Sequence, residues 1–210
     1  MPSRVSVIDR LRGHARGAAP PREALIEEHV PGRSFADIGC MWSVHGALAF
    51  AAEEAGAATV TGMDVMPPTP EYEAEHARRG SAVRFVCGDL HDEATLAQVG
   101  VHDVVWCSGV IYHAPHPLLT LERLRSITGS TLLLATEAIP ELRRPRAMVF
   151  APPPGAHPAH TEPFAPERGY VNWYWGITPS ALRAMLAASG FAIVGEHRTR
   201  HHVTAIARPV

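Results

Sequence analysis

Short β-rich runs alternate with helical stretches along most of this chain, and no other feature narrows its fold so far. Residues 34–39 (SFADIG), 58–64 (ATVTGMD), 83–87, 103–107 and 131–136 read as strands, with helical stretches at 44–55, 70–79, 92–99 and 117–127 between them. A strand that returns to its own direction through a helix pairs in parallel, and the crossover helices cover both faces of the sheet. Residues 191–196 and 202–207 add two β-type segments after a helix that starts at Thr178-Pro179-Ser180, with threonine as N-cap and proline in the first turn. The expected fold is therefore a Rossmann-like, doubly wound α/β sheet of seven strands, mostly parallel. At 210 residues the length suits one domain with a full core. Within that single domain, residues 1–33 form an N-terminal helical lid or edge, with short helices at 5–11 and 22–29 around the breaker-rich 17–21. Residues 140–177 form an insertion near the substrate side. Its prolines forbid a regular helix, and its polar groups argue against a buried strand.

A doubly wound sheet binds its ligand at the carboxyl ends of its strands, and an acid stands at that edge after each of three successive strands. Asp37-Ile38-Gly39 ends the first; the glycine lets the chain turn close to a ligand. Asp64 ends the second, at the spacing of an acid that accepts hydrogen bonds from vicinal ribose hydroxyls. Gly88-Asp89-Leu90 follows the third and offers a carboxylate to an amino group such as that of adenine. The usual G-x-G-x-G turn is here Gly39-Cys40-Met41-Trp42-Ser43, which keeps only its first glycine and weakens a pyrophosphate-cradling, nicotinamide reading.

These residues resemble the class I S-adenosylmethionine-dependent methyltransferases from residue 34 to about residue 207. Ser108-Gly109-Val110-Ile111-Tyr112-His113, Pro117-Leu118, Leu132-Leu133-Leu134-Ala135-Thr136-Glu137, Asn172-Trp173-Tyr174 and Pro179-Ser180-Ala181-Leu182 are similar to the catalytic domain of the tRNA wobble-uridine carboxymethyltransferase family. The resemblance implies S-adenosyl-L-methionine as cofactor. It places the methionine arm near Asp37, Gly39 and Ser108, the ribose on Asp64, and the adenine beside Val65, Asp89 and Leu90; Met41 and Trp42 stand ready to pack on the methionine arm. The large N-terminal region of the tRNA-modifying relatives does not precede residue 34 here.

Transfer of a methyl from a sulfonium needs an aligned acceptor and, for a hydroxyl, a base. His113, just past the fourth strand, has the right intrinsic acidity, and Glu137 ends the fifth strand at the same edge. His45 either caps the helix after the cofactor turn or touches substrate. Tyr112, Tyr170, Asn172, Trp173 and Tyr174 are candidates for the acceptor wall, with core packing as the plainer role of the rings. His157, His160 and Glu162 in HPAHTE, and His197, His201 and His202, lack the spacing of a metal site, so no metal is expected and the loop histidines are read as solvent-facing.

A net charge of -2 and a pI near 6.7 supply no strongly basic face, so nucleic acid is an improbable partner and a small-molecule methyl acceptor the leading one. The insertion is long enough to close over an acceptor or to pair two copies as a homodimer. Cys40, Cys87 and Cys107 show no CxxC spacing and read as reduced core thiols. The first residues lack an apolar segment of the signal-peptide type, and no run approaches the roughly 18 apolar residues of a membrane span, so a cytoplasmic location is expected. The competing functions are a tRNA-base modifier, a cyclase or regulatory protein that binds the cofactor without transferring methyl, and a nicotinamide oxidoreductase.

Overall fold

The computed structural model describes residues 22–210; the helix expected at 5–11 lies outside them. Helix α1 (Arg22–His29) leads into strand β1 (Ser34–Ile38), α2 (Ala47–Glu54), β2 (Thr59–Asp64), α3 (Pro70–Arg79), β3 (Arg84–Cys87), α4 (Glu93–Val99), β4 (His102–Ser108), α5 (Pro117–Ile127) and β5 (Thr128–Glu137). After the insertion come α6 (Pro179–Ala188), β8 (Phe191–Arg198) and β9 (His202–Pro209). The main sheet has seven strands in the order β3-β2-β1-β4-β5-β9-β8. Strands β1 to β5 pair in parallel, and β9 runs antiparallel between β5 and β8. The order reverses between β1 and β4, which opens the crevice where such sheets hold ligands.

Side-chain alternation divides the central strands between two cores. On β4, Val105 and Cys107 join the cluster containing Leu121, Leu124 and Leu186, whereas Val104 and Trp106 join the one containing Phe35, Met41 and Phe50. On β5, Leu132 and Leu134 face the first cluster, Leu133 and Ala135 the second. That is the period-two pattern of a sheet covered on both faces, and each fully buried leucine contributes about 1.5 to 3 kcal/mol.

Local chemistry fixes the helix starts. Thr69 caps α3 by accepting from Tyr72 N, Asp92 caps α4 by accepting from Thr95 N, and Thr178 caps α6 by accepting from Ala181 N. Proline occupies the first turn of α3, α5 and α6, where its missing N–H goes unused.

Two expectations need correction. The insertion is not structureless: β6 (Met148–Phe150) pairs antiparallel with β7 (Trp175–Ile177), and a 3-10 turn spans Pro166–Val171. This ribbon escapes the argument against a buried strand because it is short and half open, with Phe150 exposed. Cys40 and Cys107 are buried free thiols, but Cys87, at the edge of the sheet, is exposed. No helix among the described residues is long and apolar enough to cross a membrane.

Candidate active site

A cavity of about 790 Å³ opens at the carboxyl ends of β1, β2, β4 and β5, with the insertion as its far wall. This is within the size range of small-molecule sites. Gly39, Trp42, Asp64, Val65, Asp89, Leu90 and Ser108 all line it, as do Tyr112, His113, Glu137, Tyr170, Asn172 and Trp173. Most of the residues singled out in the sequence therefore meet in one space.

The Asp64 carboxylate is held by two backbone donors: Met41 N reaches Oδ2 at 2.8 Å and Met66 N reaches Oδ1 at 2.9 Å. Both bonds fix the direction of the carboxylate, and each oxygen keeps a further lone pair for a ligand. Gly39 turns with φ of 82° and donates to Met63 O at 2.8 Å. Beyond it the loop places Ser43 and His45 in the left-handed region, at φ of 61° and 47°, before Gly46 begins α2. Left-handed backbone in residues with a Cβ is strain of the kind that collects at functional loops. At the end of β3, Asp89 accepts from His91 N at 2.8 Å and from the Tyr170 hydroxyl, which ties the insertion to this edge.

Four of the expected residues do not face the cavity. Met41 is fully buried in the second core cluster, because the loop turns its side chain inward and presents the exposed Trp42 instead. His45 points away, its Nδ1 2.9 Å from Thr69 Oγ1 beside the cap of α3. Tyr174 packs edge-on against Phe164. Asp37 lies beneath the floor, 1% exposed, with Oδ2 unpartnered. Burial pushes its pKa up to about 7; Ala49 N–H opposes the shift and the neighbouring Asp64 charge adds to it.

Asn172 lines the cavity in another role from the expected one. Its Oδ1 accepts from Ala165 N and its Nδ2 donates to the carbonyls of Ala165 and Gly169, so the side chain braces the insertion. Its own carbonyl accepts from His113 Nδ1 at 2.6 Å. A carbonyl cannot donate, so His113 carries its hydrogen on Nδ1 and its lone pair on Nε2. Burial holds this imidazole below its ordinary value, with His160 adding to the effect and the Asn172 bond opposing it. Tyr112, by contrast, is pushed up to about 12 by burial and by the charge of Glu137.

The insertion histidines overturn the solvent-facing expectation. His157 is 5% and His160 4% exposed. His160 stacks on Trp173 at 5.0 Å between ring centroids, and His157 and Tyr112 pack on the same indole at 4.9 and 4.4 Å. Trp173 is thus enclosed by protein rings and serves more as the centre of the insertion than as a stacking wall. His157 also reaches Glu137, Nε2 to Oε2 at 2.6 Å. The pairing joins positions twenty residues apart through tertiary structure, and HPAHTE carried only the weak signal of two histidines with few charges between them. No group of residues suited to a metal ion occurs among the described residues.

Residues 36–130 match the family model described as a methyltransferase domain. No curated protein matches the chain. Among solved structures, the Burkholderia thailandensis 1,6-didemethyltoxoflavin-N1-methyltransferase, with its substrate and S-adenosylhomocysteine bound, superposes with a TM-score of 0.65 at 19% identity, over 96% of this chain and 82% of that one. The N-terminal domain of EvdMO1, in the presence of S-adenosylhomocysteine and D-fucose, gives 0.63 at 18% identity, over 90% and 80%. The [4+2]-cyclase SpnF gives 0.65 at 15% identity, over 89% and 79%. At these identities the likeness is one of fold: a Rossmann-like methyltransferase sheet.

Proposed function

We propose that this chain, built on the class I methyltransferase fold, binds S-adenosylmethionine and transfers its methyl group to a small molecule held under the insertion. The observation that carries the reading is the continuity of one cavity from the acid-lined edge at Asp64 and Asp89 to the chamber at His113 and Glu137. The residues fit the cofactor. Gly39 lets the turn after β1 lie directly against the Ser108 carbonyl at the cavity edge, where a Cβ would clash, the anchored Asp64 carboxylate suits two ribose hydroxyls, and no clustered N–H donors of a phosphate-binding glycine loop are needed. When bound, the cofactor supplies an electrophilic methyl carbon on a sulfonium.

The protein's share is then to orient and to exclude water. Ser108 and Gly39 would bound the methionine side, Val65 and Leu90 would lie beside the adenine, and Asp89 would take its amino group. Tyr112 and the insertion close the acceptor side. The methyltransferase of the toxoflavin precursor and the D-fucose-exposed EvdMO1 domain share this fold and support a small-molecule acceptor. A tRNA substrate finds less support, because the cavity is walled by an insertion braced at both ends and the chain lacks a basic surplus.

Calorimetric titration with S-adenosylmethionine, S-adenosylhomocysteine and NAD tests the reading. Micromolar binding of the first two alone is expected; silence from both, or a preference for NAD, overturns it. Replacing Asp64 by alanine removes charged hydrogen bonds worth about 1.5 to 3 kcal/mol, so affinity for S-adenosylhomocysteine is expected to fall roughly 30-fold. Unchanged affinity in that variant would remove Asp64 from the site. A cyclase shares the fold, so a second reading keeps the cofactor bound without turnover. It predicts tight binding with no S-adenosylhomocysteine formed from any acceptor.

A further inference from the structure

We propose that Glu137 takes the proton from a hydroxyl acceptor, and that His157 of the insertion is the positioning residue that aims its carboxylate. The proposal rests on the methyltransferase reading above and names the acceptor class.

The hydrogen bonds of His157 settle its orientation. Ala159 N donates to Nδ1 at 2.9 Å, so Nδ1 holds the lone pair and the ring hydrogen is on Nε2. That hydrogen faces the carbonyl of His201, at 3.0 Å, while Glu137 Oε2 lies against the same nitrogen at 2.6 Å. His157 does not line the cavity, and both of its nitrogens are engaged, so it acts only through Glu137. Glu137 lines the cavity and keeps 29% of its side chain exposed. Among the described residues, His202 across the β5–β9 pair, Tyr112 after β4, and Arg22 at the start of α1 also stand around it.

The other candidate base is less suited. Protonating His113 would create a cation where burial already disfavours one, with His160 beside it and no carboxylate bonded to it. Protonating Glu137 removes a charge instead of creating one, and leaves its contact with His157 in place.

This choice of base points to a hydroxyl. A neutral amine attacks first and sheds its proton to water afterwards, and a thiol ionises readily. A hydroxyl is a weak nucleophile until its proton begins to leave. The acceptor oxygen forms a bond to the methyl carbon as the carbon–sulfur bond breaks, with its electron pair left on sulfur. The hydroxyl proton passes to Glu137 and from there to solvent.

The test uses the full chain, S-adenosylmethionine and four probes: 4-methylumbelliferone, D-fucose, aniline and thiophenol, with S-adenosylhomocysteine release as the readout. The hydroxyl probes are expected to be methylated. E137Q should lower that transfer by about 100-fold at pH 7, and H157F, which keeps a ring against Trp173, by about 10-fold in kcat with KM unchanged. Both losses should shrink as pH rises and the phenol ionises on its own, which a merely structural role for His157 would not produce. Both variants should bind S-adenosylhomocysteine as the wild type does, and E137Q carries the test if H157F does not fold. Nitrogen-15 NMR of the protein loaded with S-adenosylhomocysteine should find the His157 proton on Nε2. The proposal is overturned by transfer to aniline or thiophenol alone, by no transfer to any probe, by unchanged hydroxyl transfer in E137Q, or by a proton on Nδ1. Failure of S-adenosylhomocysteine to bind the wild type would instead sink the methyltransferase reading.

Discussion

At pH 8, replacing Asp37 by asparagine is expected to make the fold more stable, raising Tm by about 4 to 8 °C, and the gain should vanish by about pH 5. Asp37 is fully enclosed, its Oδ2 has no partner, and its pKa is pushed up to about 7 from the 3.8 of a free aspartate. Between those two values the folded protein holds a proton that the unfolded chain has lost. Stability therefore falls as pH rises from about 4 towards 7, and beyond 7 the folded state carries the full cost of a buried charge, on the order of 4 kcal/mol. Asparagine has no charge to bury. Its amide gains an N–H that needs an acceptor, which gives back about 1 to 3 kcal/mol, so a net gain of roughly 2 kcal/mol remains at pH 8. In a chain of this size each kcal/mol moves Tm by about 2 to 4 °C. Melting curves of the two proteins at pH 5 and pH 8 decide the matter. If the variant melts lower at both, the carboxylate is paired when ionised and the orphaned oxygen is misleading.

The cost of Asp37 makes sense beside the proposed function. Asp37 and Asp64 raise the negative potential beneath the turn at Gly39, where the amino group of the cofactor would bring positive charge. Binding should therefore relieve part of the strain. S-adenosylhomocysteine should stabilise the wild type more than the asparagine variant, a trade of stability for site electrostatics of a common kind.

The sheet was legible because its signals are local. Gly39, Asp64 and Asp89 each close a β-rich run, and the threonine caps at 69 and 178 start helices by bonds that span three residues. The acceptor side was not legible, because its contacts are long-range. Nothing near Glu137 in the chain announces His157, and two histidines in a proline-rich stretch look solvated until Trp173 is seen to gather them. Met41 and Trp42 show the same limit on a smaller scale. Both are apolar neighbours on one turn, and only the backbone at Ser43 and His45 decides that Trp42 faces the cavity and Met41 the core. Asn172 was found in the right place for the wrong reason, since its side chain is spent on the loop that carries it.

A large loss of cofactor affinity is expected from a very small change, Gly39→Ala. Gly39 has φ of 82°, and a Cβ built there would lie 2.5 Å from Val110 Cγ2 and 2.8 Å from the carbonyl oxygen of Ser108. The left-handed backbone alone costs an alanine about 1 to 2 kcal/mol. The valine methyl can rotate away, but the Ser108 oxygen belongs to the end of β4 and moves only with the strand, so the total loss should reach about 3 kcal/mol or more. Ser108 and Gly39 bound the same side of the cavity, and pushing them apart should cost more than tenfold in S-adenosylhomocysteine affinity as well as about 6 to 12 °C in Tm. Gly80→Ala separates the two causes. Gly80 ends α3 at φ of 58° with nothing within 4 Å of its would-be Cβ, so it carries the backbone penalty without the crowding. If the two variants melt together and both bind S-adenosylhomocysteine normally, the glycine at the first turn serves only its dihedral angle. A much lower melting point and weak binding for Gly39→Ala alone would mean that the turn needs glycine because the chain after β1 runs hard against the end of β4, which is what leaves room for a cofactor arm beside them.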